Sequence, residues 1–249
     1  MSIPLVSVII PLYNYGKYIE WCVQSVLNQT YTNFEIIIVD DCSADNSFNL
    51  ANKFSCDKIR VIKLDTNSGY SKAKNEGIIL SKGEYITTID ADDMLTKTSI
   101  ECRVAAALKN NVPFVHANAI NVIGDLSLER CYRIRKNIDR TICVIHAQTV
   151  LMARWVYKKF GLYDESLRSR SDKEMWWRLF GDGCKSEKNI RKIKINNDVA
   201  YYRLHSDSMM SYRHRNKRYN KIVTKQLSDS YRMRKEEGIT SLNTRFLEK

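Results

Sequence analysis

The 249-residue chain is 44% hydrophobic and 27% charged, a balance that supports a full buried core and argues against global disorder. Its 40 Lys and Arg against 28 Asp and Glu leave a net charge of +12, which favours anionic partners in general: nucleic acid, acidic headgroups or phosphorylated substrates. No run approaches the roughly 20 apolar residues needed to span a bilayer, and the seven cysteines include no CxxC pair, so reduced thiols fit better than a zinc cluster or disulfide framework.

The N-terminal MSIPLVSVIIPLYN has no basic leader and runs directly into a strand, so no signal peptide is expected and the expected location is cytoplasmic. Residues 6–11 predict a buried strand. Ile19, Cys22, Val23, Val26 and Leu27 follow the i, i+3, i+4, i+7, i+8 spacing of an amphipathic helix. A second strand over 35–39 ends at Asp40-Asp41, and the polar side chains of 43–47 offer caps for the helix after it. Residues 60–64 predict a third strand. Tyr70, Ala73 and Gly77 share a face of the next helix, which Gly83 closes, and a fourth strand over 84–89 ends at Asp90-Ala91-Asp92-Asp93.

Further on, a helix is predicted through Ile100, Val104, Ala105 and Leu108, followed by a strand over 113–123 and an irregular, charged stretch over 126–140. Helical periodicity resumes near Gln148 and closes at Gly161. Residues 173–180 predict a short helix with Met175, Trp176, Leu179 and Phe180 inward. Residues 199–204 predict a late strand, and the basic sequence from Tyr212 predicts a surface helix with a frayed tail, packed by Tyr219, Ile222, Val223 and Leu227.

Strands alternating with helices imply parallel pairing through right-handed crossovers, an α/β fold with a mostly parallel, Rossmann-like sheet flanked by helices. Ligands bind such open sheets beyond the carboxyl ends of the strands. Two strands here end in acid pairs, so the carboxylates fall where topology puts a site. Mg2+ and Mn2+ take oxygen ligands, commonly one or two carboxylates with phosphate oxygens, and Asp90-Ala-Asp92 offers that chemistry. An acidic turn or helix cap is the plain structural alternative. A carboxylate at Asp40 or Asp41 can accept from a base N–H or a ribose hydroxyl, or cap the following helix.

Four blocks, VSVIIPLYN, VDDCSAD, NSGYSKAKNEG and GEYITTIDADD, stand in an order and spacing that resemble the nucleotide-binding half of inverting glycosyltransferases of family 2, which have the GT-A fold. Later segments are similar too: VLMARWVYKKFGLYDESL to the acceptor side, SDKEMWWRL to the family's Glu-Asp helix and YYRLHSDSMMS to its late histidine block. The resemblance covers about residues 4–212. It implies a GT-A domain over 1–212, with a nucleotide half (1–95) and an acceptor half (96–212), and a basic helical extension over 213–249.

Position by position, the resemblance implies that Tyr13 lies against the base beside Pro11, and that Asp41, with Asp40, binds the base. Asn67, Gly69 and Asn75 line the nucleotide pocket, and Asp90 meets the ribose next to Ala91. Asp92 holds the metal, Mn2+ or Mg2+, with His205 as a further metal or diphosphate contact; an ordinary polar residue at a strand end is the competing reading for His205. Asp172 is the implied general base, taking the acceptor hydroxyl's proton on the far side of the sugar from the leaving diphosphate. The family's usual Glu-Asp is Ser171-Asp172 here, and Glu174 is the alternative base. Trp176 and Trp177 face different sides of a helix; core packing is the expectation for both, with stacking of one on a sugar as the alternative.

The implied function is metal-dependent transfer of a sugar, from a UDP-sugar donor, to a hydroxyl on a glycan, lipid or protein. Two alternative readings are a catalytically silent nucleotide-sugar-binding protein, which Ser171 motivates, and a basic nucleic-acid-binding protein, for which no recognisable module is present, so no nucleic acid partner is expected. Contact of the basic tail with anionic lipid, and homo-oligomerisation, are left open.

Overall fold

Side chains of β1 (Val6–Leu12) point alternately into two separate cores: Val6, Val8, Ile10 and Leu12 to one face of a sheet, Ile9 to the other. A strand buried on both faces reads as a continuous apolar run, which is why VSVIIPL shows no polar alternation. The computed structural model describes residues 3–123, 132–134, 145–167, 169–181, 190–206, 208, 221–222, 224–230 and 232.

The elements follow in the order β1, α1 (Gly16–Leu27), β2 (Phe34–Asp40), α2 (Ser47–Asn52), β3 (Ile59–Lys63), α3 (Tyr70–Leu80), β4 (Tyr85–Thr88), β5 (Met94–Leu95), α4 (Ser99–Asn110), β6 (Phe114–Ile123), β7 (Tyr132–Ile134), a 3-10 turn (Ala147–Thr149), β8 (Leu151–Ala153), α5 (Arg154–Phe160), α6 (Ser171–Phe180) and β9 (Lys192–Leu204). They build a mixed α/β sheet in the order β3-β2-β1-β4-β8-β6-β9-β5, with β7 beside β6. The ladders of β1 with β2 and β4, of β2 with β3, and of β6 with β9 are parallel. Short antiparallel ladders join β4 to β8, β8 to β6, and β5 to β9.

One core lies under α1 and α4, with Ile19, Cys22, Val23 and Val26 from the former and Ile100, Val104 and Ala107 from the latter. The other lies under α3, α5 and α6, with Ala73, Ile78, Val156, Phe160, Met175, Trp176, Leu179 and Phe180. Gly77 allows α3 to sit directly on β1, since a Cβ there would lie 2.4 Å from Ile9 Cγ2. Gly161 and Gly181 end α5 and α6 with φ of 82° and 77°, the left-handed step that favours glycine.

Several sequence expectations shift. Leu27 is 39% exposed, because the helix ends there and turns it outward. In α4 the inward stripe is Ile100, Arg103, Val104 and Ala107, so Ala105 and Leu108 face solvent. Arg103 joins that stripe because its guanidinium is spent on Ser99, Thr87 and the carbonyl of Val150. The periodicity of 148–161 resolves into the 3-10 turn, β8 and α5, and β9 begins at Lys192, before the predicted start. At α2 no N-cap side chain bonds the helix; Asp45 instead accepts from the Ser47 N–H, at 2.9 Å. Most of the irregular stretch over 126–140 lies outside the described residues, as do Tyr219, Val223 and most of the predicted tail. Ile222 is 48% exposed and Leu227 is buried. No helix among the described residues is long and apolar enough to cross a membrane.

Candidate active site

Because β1, β2 and β4 are parallel neighbours, the loops that leave them open at one edge of the sheet. The β1 loop carries Tyr13, 44% exposed, just past the buried Pro11. Asn14 follows with φ of 53°, and its side chain accepts from the N–H of Ala44, tying the β1 and β2 loops together. The β2 loop carries the two acids. Asp40 is fully buried: one carboxylate oxygen accepts from the Ser43 N–H at 3.0 Å, and the other has no hydrogen-bond partner among the described residues. Asp41 accepts from Ser68 N at 2.7 Å and Gly69 N at 2.8 Å. This holds the 65–69 segment, with exposed Asn67, against the end of β2. Gly69 has φ of 96°, and a Cβ there would meet nothing within 4 Å, so the glycine serves the backbone turn into α3 and leaves open space above it.

The β4 loop carries the acid cluster. Carboxylate oxygens of Asp90, Asp92 and Asp93 lie within 4.8 Å of one another. Asp90 accepts from the Tyr70 hydroxyl, and Ala91 beside it is buried. Asp92 Oδ2 meets His205 Nε2 at 2.9 Å, bringing the end of β9 to the end of β4. Asp93 is occupied by the fold, accepting from Arg203 N at 2.8 Å and Gln148 Nε2 at 2.9 Å. Tyr15 and Tyr18 pack edge-on and tilted against the His205 ring, at 5.8 and 5.0 Å.

Burial, and then crowding of like charges, disfavours ionisation of these acids. Burial, then the charge of Asp92, pushes Asp90 up to about 6, against the Tyr70 hydrogen bond and the nearby Lys74. Burial likewise raises Asp93 well above the ordinary carboxylate range. The same acids, after burial, raise the Tyr15 phenol.

Lys74, which sequence reasoning passed over, lies on α3 with no exposed surface. Its Nζ stands 3.7 Å from the centre of the Tyr163 ring and 4.9 Å from that of Tyr70, with no hydrogen-bond acceptor among the described residues. Burial lowers it to about 8, while the charges of Asp172 and Asp90 oppose the shift. Asp172 also opposes the burial-driven lowering of His146. Asp172, in the first turn of α6, is thus within electrostatic reach of Asp90, Lys74 and His146, although α6 lies 80 residues further along the chain than the acid cluster.

Asp172 makes no hydrogen bond or ion pair to a described residue and keeps partial exposure. Glu174 differs: it is fully buried and paired with Arg178 at 2.8 and 3.0 Å, and Arg178 also donates to the carbonyl of Leu162 at 2.7 Å. Asn75 likewise has no exposed surface. Its amide donates to Tyr163 O and Glu165 Oε1 and accepts from Tyr163 N, so it fastens the 163–165 segment to α3 from beneath. Trp176 is core, donating to Ile145 O, whereas Trp177 is half-buried under the Lys173 ammonium. The described site therefore gathers Asp40, Asp41, Asn67, Gly69, Asp90, Asp92, His205 and Asp172 about one sheet edge.

The profile of Glycosyl transferase family 2 matches residues 7–149. An Escherichia coli enzyme, UDP-Glc:alpha-D-GlcNAc-diphosphoundecaprenol beta-1,3-glucosyltransferase WfgD, is 28% identical over 83% of this chain and 80% of its own. Glycosyltransferases of Streptococcus pneumoniae and Haemophilus influenzae are 41% and 37% identical, but the chain spans only 40% and 48% of their lengths. Among solved structures, Staphylococcus aureus TarS 1-349 in complex with UDP-GlcNAc superposes with a TM-score of 0.66 at 21% identity, over 83% of this chain and 60% of that one. The Pyrobaculum calidifontis mannosyltransferase PcManGT, in complex with GDP-Man and Mn2+, does so at 0.65 and 17%, over 85% and 60%. These likenesses show the GT-A fold.

Proposed function

Because the chain belongs to glycosyltransferase family 2, we propose that it moves a hexosyl unit from a UDP-sugar to a hydroxyl acceptor, with inversion, using a divalent cation. The observation that carries this reading is that Asp92, Asp172, Lys74 and Tyr70 all act on Asp90 at the carboxyl edge of the sheet. WfgD is named for a UDP-glucose donor and a diphosphoundecaprenol-linked acceptor, and TarS was solved with UDP-GlcNAc.

In this reading the nucleotide half spans 1–95. Tyr13, beyond Pro11, offers an exposed ring for the base to stack on. Asp40 and Asp41 line the base site, Asn67 and the open space above Gly69 its rim, and Asp90 beside Ala91 takes a ribose hydroxyl. Asn75 supports the pocket from below.

The acids fit a hard divalent cation: carboxylate oxygens are already clustered, Asp93 is consumed by the fold, and Asp90, raised by burial and then by the charge of Asp92, gains a counter-charge when a cation binds. Asp92 would hold Mn2+ or Mg2+, with His205 at its side, and PcManGT was solved with Mn2+. When bound, such an ion neutralises charge on the diphosphate leaving group. Asp172 takes the acceptor's proton as its oxygen attacks the anomeric carbon from the opposite side. Ser171, buried at the helix start, does not interrupt that placement.

The acceptor half spans 96–212 and receives a hydroxyl of a glycan, lipid or protein. The basic extension from 213 suits a cytoplasmic protein that meets an anionic membrane surface, and a homo-oligomer is compatible with it. The deciding experiment screens UDP-glucose, UDP-GlcNAc, UDP-galactose and GDP-mannose for Mn2+-dependent nucleotide release and thermal stabilisation. Stabilisation and release by one UDP-sugar, lost in EDTA, is the expected result. Absence of both with every donor sinks the reading.

A further inference from the structure

Helical residues 221–222 and 224–230 lie beyond the segment matched by the family profile, yet they bond to Asp164 and Arg170 in the segment that leads into the helix carrying Asp172. We propose that this C-terminal helix is a positioning element for the base: through Thr224 and Ser230, with Leu227 buried between them, it holds Arg170 and the 164–167 turn and so sets how α6 presents Asp172. The proposal rests on the reading of Asp172 as the base.

The three residues are spaced i, i+3, i+6, one face of a helix. Leu227 is 1% exposed and anchors that face. Ser230, also buried, donates its hydroxyl to Asp164 Oδ2. The other oxygen of Asp164 accepts from Ser166 N at 2.9 Å and Ser166 Oγ at 2.6 Å, so one buried carboxylate joins the turn to the helix. At the far end of the turn, Arg170 donates from Nη1 to Thr224 Oγ1 at 2.8 Å.

Arg170 is the residue on which α6 begins. It has φ of 64° and ψ of 20°, a left-handed conformation that a side chain disfavours and that persists where its surroundings hold it. Its carbonyl accepts from Glu174 N at 3.1 Å, starting the helix two residues before Asp172. A change in Arg170 therefore rotates the first turn of α6, and Asp172 with it.

The opposite side of the turn is fixed independently. Asn75 holds Tyr163 and Glu165, Ser71 Oγ donates to Leu167 O at 3.1 Å, and Lys72 pairs with Glu165 at 3.4 Å. The turn is thus held by α3, on the nucleotide side, and by the C-terminal helix on the other. Releasing only the second hold leaves donor binding intact while loosening the base. Chemistry is far more sensitive than binding to such a change, since a misplacement of about 1 Å can cost about 100-fold in rate.

The test uses the full chain with Thr224→Val, Ser230→Ala and the double variant, measured with Mn2+ and the UDP-sugar that the wild type turns over. The expected result is an at least about 10-fold fall in kcat for the double variant, with UDP affinity and the donor KM within about two-fold of wild type. Ser230→Thr, which keeps the hydroxyl, should restore the rate. Should Ser230→Ala prove poorly folded, Thr224→Val, at an exposed position, carries the same kcat-against-KM comparison. Unchanged kcat in a folded double variant overturns the clamp, as does an equal loss of UDP affinity. Full activity of Asp172→Asn would instead overturn the base assignment, so the two failures are distinguishable.

Discussion

His205 Nε2 lies 2.9 Å from Asp92 Oδ2, joining residues 113 apart in the chain where β9 comes alongside the acid loop after β4. A carboxylate that shares one oxygen with an imidazole retains the other for a cation. Asp92→Ala should therefore abolish Mn2+ stimulation of nucleotide release while the fold survives, with a stability loss of about 1 kcal/mol or less, because losing the His205 contact is offset by removing a like charge beside Asp90. Normal turnover of the variant in EDTA would remove the metal from this site. Titration of Mn2+ against release, with a thermal melt alongside, measures both.

Asp172 and Glu174 share a helical turn but not an environment, and their variants should fail in different ways. Asp172→Asn is expected to lower kcat by about 100- to 10,000-fold with UDP affinity unchanged, the signature of a group needed only in the transition state. Glu174→Ala strips Arg178 of a buried counter-charge and should instead destabilise the protein by about 3–5 kcal/mol. Steady-state kinetics beside denaturant unfolding separates the two.

Asp90 titrates near 6 because burial and Asp92 disfavour its charge. The ionised form is the stronger acceptor for a ribose hydroxyl, so UDP affinity of the metal-free protein should weaken as pH falls through about 6. Mn2+ favours carboxylate over carboxylic acid, so it should move that limb to lower pH. Calorimetric titrations of UDP between pH 5 and 7.5, with and without Mn2+, read the shift directly. An affinity flat across this range would dissociate Asp90 from the nucleotide.

Strands β1 to β4 and the helices between them were legible because each is declared locally, by a continuous apolar run, a polar cap or a helical stripe, whereas the two-residue β5 carried no such signal. The acids of β2 and β4 were legible for the same reason: a parallel topology carries strand ends to one edge. What escaped was decided by pairings across the chain. Arg103 reads as a surface residue until Thr87 and Val150 arrive to receive it. Nothing local distinguishes Asp93, consumed by Arg203 and Gln148, from Asp92, nor Glu174 from Asp172. Leu227 was legible as a packing position of the basic tail and is buried, whereas the bond from Ser230 to Asp164 was not, because a serine leaves no mark in an apolar periodicity.

Lys74 is the residue whose cost to the fold is clearest. A buried ammonium between two tyrosine rings, with no acceptor among the described residues, titrates near 8 against an ordinary value of about 10.4. Between those two values the unfolded chain binds the proton and the folded chain does not, so stability must rise with pH across that window relative to a protein lacking the group. Lys74→Met keeps the length and apolar contacts of the side chain. It should be more stable than wild type at pH 7, and the difference should shrink as the pH is raised from 8 to 10. Activity should fall in the same variant, because the cation near Asp90 and Asp172 is lost. Paired melts of wild type and Lys74→Met across pH 7–10 test the linkage; a constant difference between them would mean that Lys74 is solvated in the folded protein.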